Sequence, residues 1–185
     1  MKDAAALALI ETRSIARGMT TVDALVKKAP VVMRSAHPIS PGHYLIIIAG
    51  GVAEVEESFD AAVRHAGEML LDELFLPQVH EDVPRAIAGE FPEVGEAIDA
   101  MAILETHTVT ASVLAADAAC KAAEVQLVQM RLGQGLGGKG YFVLTGELHD
   151  VNAAVSAARE VVGGDAFLSL ETIPRPHPEF VASCC

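Results

Sequence analysis

Apolar residues follow two rhythms along this chain. "ALALIE", from Ala6, and "YLIIIA", from Tyr44, are continuous apolar runs of strand length. Between them Ile15, Met19, Val22 and Val26 recur at helical spacing, which predicts a helix from about Ser14 to Ala29 with that face buried. Leu7–Glu11, Val31–Ser35 and Tyr44–Ala49 read as strands, the last two joined by the loop "HPISPGHY". Two prolines and a glycine in eight residues mark that connection as a turn, because proline donates nothing to a strand ladder. A second helix follows with Val52, Val55, Phe59 and Ala62 facing inward, and "EMLLDELFLP" supplies a closing strand. The order is β-α-β-β-α-β.

The chain then repeats itself. "ALALIETRSIARGMTTVDALVKKAPV" returns as "AMAILETHTVTASVLAADAACKAAEV" at a constant offset of 94, placing Glu11–Thr12 on Glu105–Thr106 and Lys27 on Lys121. After the second strand the offset becomes 96, so two residues are added in the connecting loop, "RLGQGLGGKGY". The second helices carry Val109, Val113, Ala116 and Cys120, then Leu148, Val151, Val155, Ala158 and Val162. Cys120 stands where Val26 stands and reads as a small buried hydrophobe. "EDVPRAIAGEFPEVGEA" between the repeats reads as a short acidic helix plus linker. Helices on one face of each sheet leave the other face to pack on the other repeat or on another subunit.

Composition narrows the partners. A formal charge of −12 and a pI near 4.9 exclude a nucleic-acid partner, which needs a basic surface. With 51% hydrophobic residues the core is ample, yet no run reaches the roughly 20 residues of a membrane span, so no membrane is expected. Cys120, Cys184 and Cys185 make neither a disulfide framework nor a spaced metal motif, which fits a reducing cytoplasm. No nucleophile triad, zinc-protease motif or phosphate loop occurs, and Glu11 and Glu105 read as structural acids, so the chain is not read as an enzyme. The G-x-G-x-G-G run joins two strands and does not open a helix, which removes the dinucleotide reading.

The two opening stretches resemble the bacterial microcompartment (BMC) shell domain, whose first strand ends in E-T before a helix carrying A-A-D-A-x-x-K-A. "PRPH", Pro174 to His177, resembles that domain's edge motif, and the resemblance spans about Ala5 to His177. Since E-T opens each repeat, the order is the direct tandem form and not the circularly permuted one. The resemblance implies an α+β chain of two ferredoxin-like BMC domains, over residues 4–90 and 99–180, with a linker at 91–98 and a flexible tail at 181–185. It implies a homotrimer that mimics a hexamer, tiling with other shell proteins (hexamers and pentamers) around encapsulated enzymes in a cytoplasmic microcompartment. The tile would be structural, with a central pore for small-molecule metabolites. The alternative is an oligomeric small-molecule-binding or metal/redox module using the same loops.

Residue by residue, the resemblance places His37, Pro38, Ile39, Ser40, Pro41, Gly42 and His43 on the pore. From the second repeat it adds Gln134, Gly135, Leu136, Gly137, Gly138 and Lys139. His37 and His43 with Arg131 and Lys139 form a basic cluster, which would favour anionic or hydrogen-bonding metabolites. In the other reading Arg131 and Lys139 turn back onto carboxylates. A propanediol-utilisation subgroup holds an iron–sulfur cluster through the cysteine of an I-C-P-G loop. Here the loop reads "ISPG", and Ser40 is a far poorer iron ligand, so no cofactor is expected. Symmetry copies of His37 or His43 would be the imidazoles left for a metal. Lys27 and Lys121 match the family's edge lysine, and Arg175, Pro176 and His177 its partner motif. In the first repeat His80 is retained, but Gln78 stands in the arginine's place.

Overall fold

The computed structural model describes residues 5–95 and 98–184. Cys185 and part of the expected linker lie outside them. The chain divides into two compact units, Met1–Val79 with Gly133–Gly138, and His80–Leu132 with Lys139–Cys185.

In the first unit β1 (Ala6–Thr12), α1 (Ile15–Val26), β2 (Val32–Ile39), β3 (His43–Gly50), α2 (Val52–Ala66) and β4 (Leu70–Leu76) build an antiparallel sheet in the order β2-β3-β1-β4. The second unit opens with α3 (Asp82–Ile87) and repeats the pattern with β5 (Ala100–Thr106), α4 (Val109–Ala122), β6 (Gln126–Leu132), β7 (Gly140–Gly146), α5 (Leu148–Val161) and β8 (Phe167–Pro174). Its sheet runs β6-β7-β5-β8, and α6 (Pro178–Cys184) ends the chain. The registers repeat as well: Thr12 pairs with Tyr44 and Thr106 with Gly140, which reproduces both sequence offsets. Even the irregularities recur, at Met33/Ser35 and Leu127/Gln129.

The E-T signature has a local explanation. Thr12 Oγ1 donates to the Ser14 carbonyl at 2.9 Å, and Thr106 Oγ1 to the Thr108 carbonyl at 2.8 Å. Each threonine thereby fixes the residue that caps the next helix: Ser14 accepts from the Arg17 N–H, and Thr108 from the Ala111 N–H. On the helix side of the first sheet Ala6, Ala8 and Ile10 pack with Ile46, Ile48, Leu25, Val55 and Ala62. Each large side chain there contributes about 1.5–3 kcal/mol by leaving water. The opposite face of that sheet (Leu7, Leu9, Leu45 and Ile47) is buried too. In the second unit, Phe180 and Val181 of α6 with Val94 and Ile98 cover the equivalent face around Met101.

Four expectations are corrected. The periodic face of α1 points inward only at Val22, which packs against the core: Ile15, Met19 and Val26 are exposed, while Gly18, Thr21 and Leu25 are buried. Val52 is also exposed at the start of α2. Residues 80–90 belong to the second unit, where α3 packs on α4 and β6, so the first domain ends at Val79. The expected flexible tail is helical through Cys184, and buried Val181 anchors it.

Candidate functional site

The first connection is shorter than its sequence suggests. β2 continues through His37, Pro38 and Ile39, and β3 begins at His43, so only Ser40, Pro41 and Gly42 form the turn. Pro38 is tolerated because β2 is an edge strand. Gly42 N–H donates to the Ile39 carbonyl at 3.0 Å, and its φ of 115° is open to glycine alone. His37 Nδ1 lies 2.6 Å from Ser35 Oγ, while His43 is half-buried with its Nδ1 out of solvent.

The second connection behaves differently: residues 133–138 pack with the first unit and not with the strands they join. Gly135 N–H donates to Ser40 Oγ at 3.3 Å. A Cβ on Gly133 would lie 2.7 Å from Ile39 Cδ1, and one on Gly138 3.3 Å from the Ser40 carbonyl oxygen. Both residues also have positive φ, at 77° and 89°. The glycines thus serve close packing of one turn on the other. Gln134, Gly135 and Gly137 are exposed at the crest and Leu136 is half-buried. Ser40→Ala removes the hydroxyl that accepts from Gly135. The expected result is faster amide exchange at Gly135 and proteolysis within 133–138, with about 1 kcal/mol or less of global stability lost. Unchanged exchange at Gly135 would show that the hydroxyl does not hold the loop.

The basic cluster is only partly assembled. Lys139 Nζ turns back to Glu105 Oε1 at 3.2 Å, whereas Arg131 is exposed with no carboxylate partner among the described residues. Ser40 bears on the cofactor question too. Its oxygen accepts the Gly135 N–H, and the turn Ser40–Gly42 contains no thiolate, the usual ligand of an iron–sulfur cluster.

The residues expected at the tile edge form two matching sets. Lys27 Nζ meets Asp23 Oδ2 at 2.6 Å, and Lys121 Nζ meets Asp117 Oδ2 at 2.6 Å, each one turn along its helix. Asp82 N–H donates to His80 Nδ1 at 3.4 Å, and Glu179 N–H to His177 Nδ1 at 3.3 Å. His80 is further held by its own N–H on Asp117 Oδ1 at 2.7 Å. Arg175 is exposed with φ 50° and donates its N–H to the Asp99 carbonyl at 2.7 Å; Pro176 is buried beside it. The part played by Asp117, which joins α4 to the His80 turn, was not inferred from sequence. Its one signal was the repeat of Asp23 and Lys27.

Burial, with Asp82 and Asp117 adding to it, pushes the Cys120 thiol up to about 12 from an ordinary value of 9.0. The folded chain therefore holds this proton more tightly than the unfolded chain. Stability from this source is intact below pH 9 and is lost as pH rises toward 12. Between about pH 9 and 11 the thermal midpoint is expected to fall more steeply for the natural protein than for Cys120→Val. Parallel profiles would place the thiol in an ordinary environment.

The BMC domain family model matches residues 6–79 and 100–176. The bacterial microcompartment shell protein PduT of Citrobacter freundii is 39% identical over 176 residues, 93% of each chain. The carboxysome assembly protein CcmO of Synechococcus elongatus is 28% identical, over 98% of this chain and 69% of its own. Among solved structures, a microcompartment protein from Desulfitobacterium hafniense superposes with a TM-score of 0.87 at 36% identity, covering 97% of this chain and 98% of that one. The doubled register, the doubled E-T turn and the doubled edge pairs coincide with the two matched segments, and the chain belongs to the BMC domain family as two such domains in tandem.

Proposed function

We propose that the protein is a structural shell tile of a bacterial microcompartment, a homotrimer whose six BMC units close around a central pore. The relatives' shell roles favour the tile. The observation that carries the trimer is an asymmetry between equivalent helices. On α4, Val109, Val113, Ala116 and Cys120 are buried within the chain. At three of the same four places on α1, Ile15, Met19 and Val26 stand exposed, and only Val22, the counterpart of Ala116, packs against the core. A ring of alternating units gives both helices the same surroundings, and another copy of the chain covers α1. The turn Ser40–Gly42 and the loop 133–138, packed on each other, are the segments assigned to the pore. With Lys139 paired to Glu105, Arg131 is the cation left to draw an anionic metabolite. The reading includes no catalytic residue and no iron–sulfur cluster.

Native mass spectrometry of freshly purified, anaerobically handled protein tests it. The expected species has three times the 19.4 kDa chain mass without the iron and sulfide of a cluster, and electron microscopy of concentrated protein shows flat layers. A monomer or dimer removes the pore and favours a discrete ligand-binding module. A trimer that carries iron and acid-labile sulfide restores a redox role for the turns.

A further inference from the structure

We propose that His80, Asp82 and Cys120 form a binding site for one divalent transition-metal ion of borderline softness, with zinc as the best match. The site lies wholly within the second unit. His80 comes from the turn before α3, Asp82 is the first residue of α3, and Cys120 comes from α4. One ligand atom from each lies within 4.8 Å of the others. His80 Nδ1 and Asp82 Oδ2 face each other at 3.7 Å, too far for a hydrogen bond. Ligand atoms around tetrahedral zinc, with bonds of about 2.0–2.3 Å, lie roughly 3.3–3.7 Å apart, so small side-chain movements close the triangle.

The surroundings fit a cation. Asp82 uses its other oxygen, Oδ1, on Arg85 at 3.3 Å, which leaves Oδ2 for the ion. Asp117 accepts the His80 backbone N–H and is in turn clamped by Lys121, which fixes the turn that carries the histidine. The Asp82 N–H on Nδ1, at 3.4 Å, is long and readily given up. Binding converts the Cys120 thiol to thiolate and releases its proton to solvent, while the imidazole binds neutral. The carboxylates of Asp82 and Asp117 near these ligands favour a cation there. An imidazole, a carboxylate and a thiolate select zinc, cobalt or copper over magnesium and calcium. His80 and Asp82 are each about one-third exposed, which gives the ion an approach and leaves water the fourth position. The first repeat keeps the Asp23–Lys27 pair but has Val26 at the thiol's place.

The test uses the full-length, untagged chain, stripped with a chelator and kept anaerobic without added thiols. Cobalt(II) is expected to give a thiolate charge-transfer band in the near ultraviolet that saturates at about one ion per chain, and zinc to release about one proton and abolish the band. Cys120→Val, which copies the residue of the first repeat, keeps the circular dichroism spectrum and loses the band. His80→Ala weakens binding about tenfold or more, and Cys184→Ser with Cys185→Ser leaves the band unchanged. No band in the natural protein, or a band that survives Cys120→Val, overturns the assignment. The readouts do not depend on oligomeric state, so they stand or fall apart from the shell reading.

Discussion

Gly18→Ala is expected to cost more than about 3 kcal/mol of folding stability, although alanine is the better helix former. Gly18 is buried on α1, where a Cβ would sit 2.6 Å from Tyr44 Cδ1 and nearer still to Tyr44 Cβ and Cγ. Rotating the ring cannot relieve a clash with its own Cβ, so backbone must move. The second unit solves the same contact the other way round. Ser112 takes the place of Gly18, Gly140 that of Tyr44, and a Cβ on Gly140 would lie 2.6 Å from Ser112 Cβ. One side of each helix–strand contact must be glycine, and the two repeats have chosen opposite sides. The coupling is clearest in the second unit. Gly140→Ala should be strongly destabilising alone, yet close to neutral in a Ser112→Gly background, because the clashing Cβ is gone. Urea unfolding of the four proteins measures this cycle. Additive costs would mean that the two positions do not meet.

That exchange shows what the sequence held and where it misled. The duplication made the order of elements readable, and the change of offset located the loop insertion. The Gly18/Ser112 and Tyr44/Gly140 swap was present in the same alignment, but nothing in one dimension says those positions touch. Three of the four residues on the expected α1 face were misplaced for a different reason. Periodicity reports that a helix has an apolar side, not what covers it, and an apolar side left exposed has the same pattern as a core. The connection at residues 37–43 was overestimated because proline was read as ending a strand, whereas an edge strand accepts it. The packing of residues 133–138 on the first unit had no sequence signal, since glycine-rich runs look alike whether they flex in solvent or pack on a turn. Cys120 was correctly read as buried. Its proximity to His80 and Asp82 joins residues about forty positions apart, a distance no local motif spans.

Met19→Glu should dissolve the assembly into folded single chains, whereas Val113→Glu should leave no folded chain at all. The residues hold the same place in the two repeats and differ in what surrounds them: Met19 is 55% exposed in the chain and Val113 0%. A carboxylate at Val113 has no water and no partner planned for it. Burying it uncompensated costs several kcal/mol, a large part of the stability of a domain this size. At Met19 the isolated chain leaves the new charge in solvent, where such a change shifts stability by about 0.5 kcal/mol or less. The cost appears only when another copy covers α1, because the introduced carboxylate would then be desolvated beside Ile15 and Val26. A penalty of about 2–5 kcal/mol per interface weakens each contact roughly thirtyfold or more, and the proposed trimer would need three such contacts. Light scattering with circular dichroism separates the outcomes: Met19→Glu gives native ellipticity at the mass of one chain, and Val113→Glu loses ellipticity. If Met19→Glu remains a trimer, α1 is not the covered face, and the ring must be built on other contacts. If it unfolds, α1 is stable only inside the assembly, so folding and trimer formation are one event.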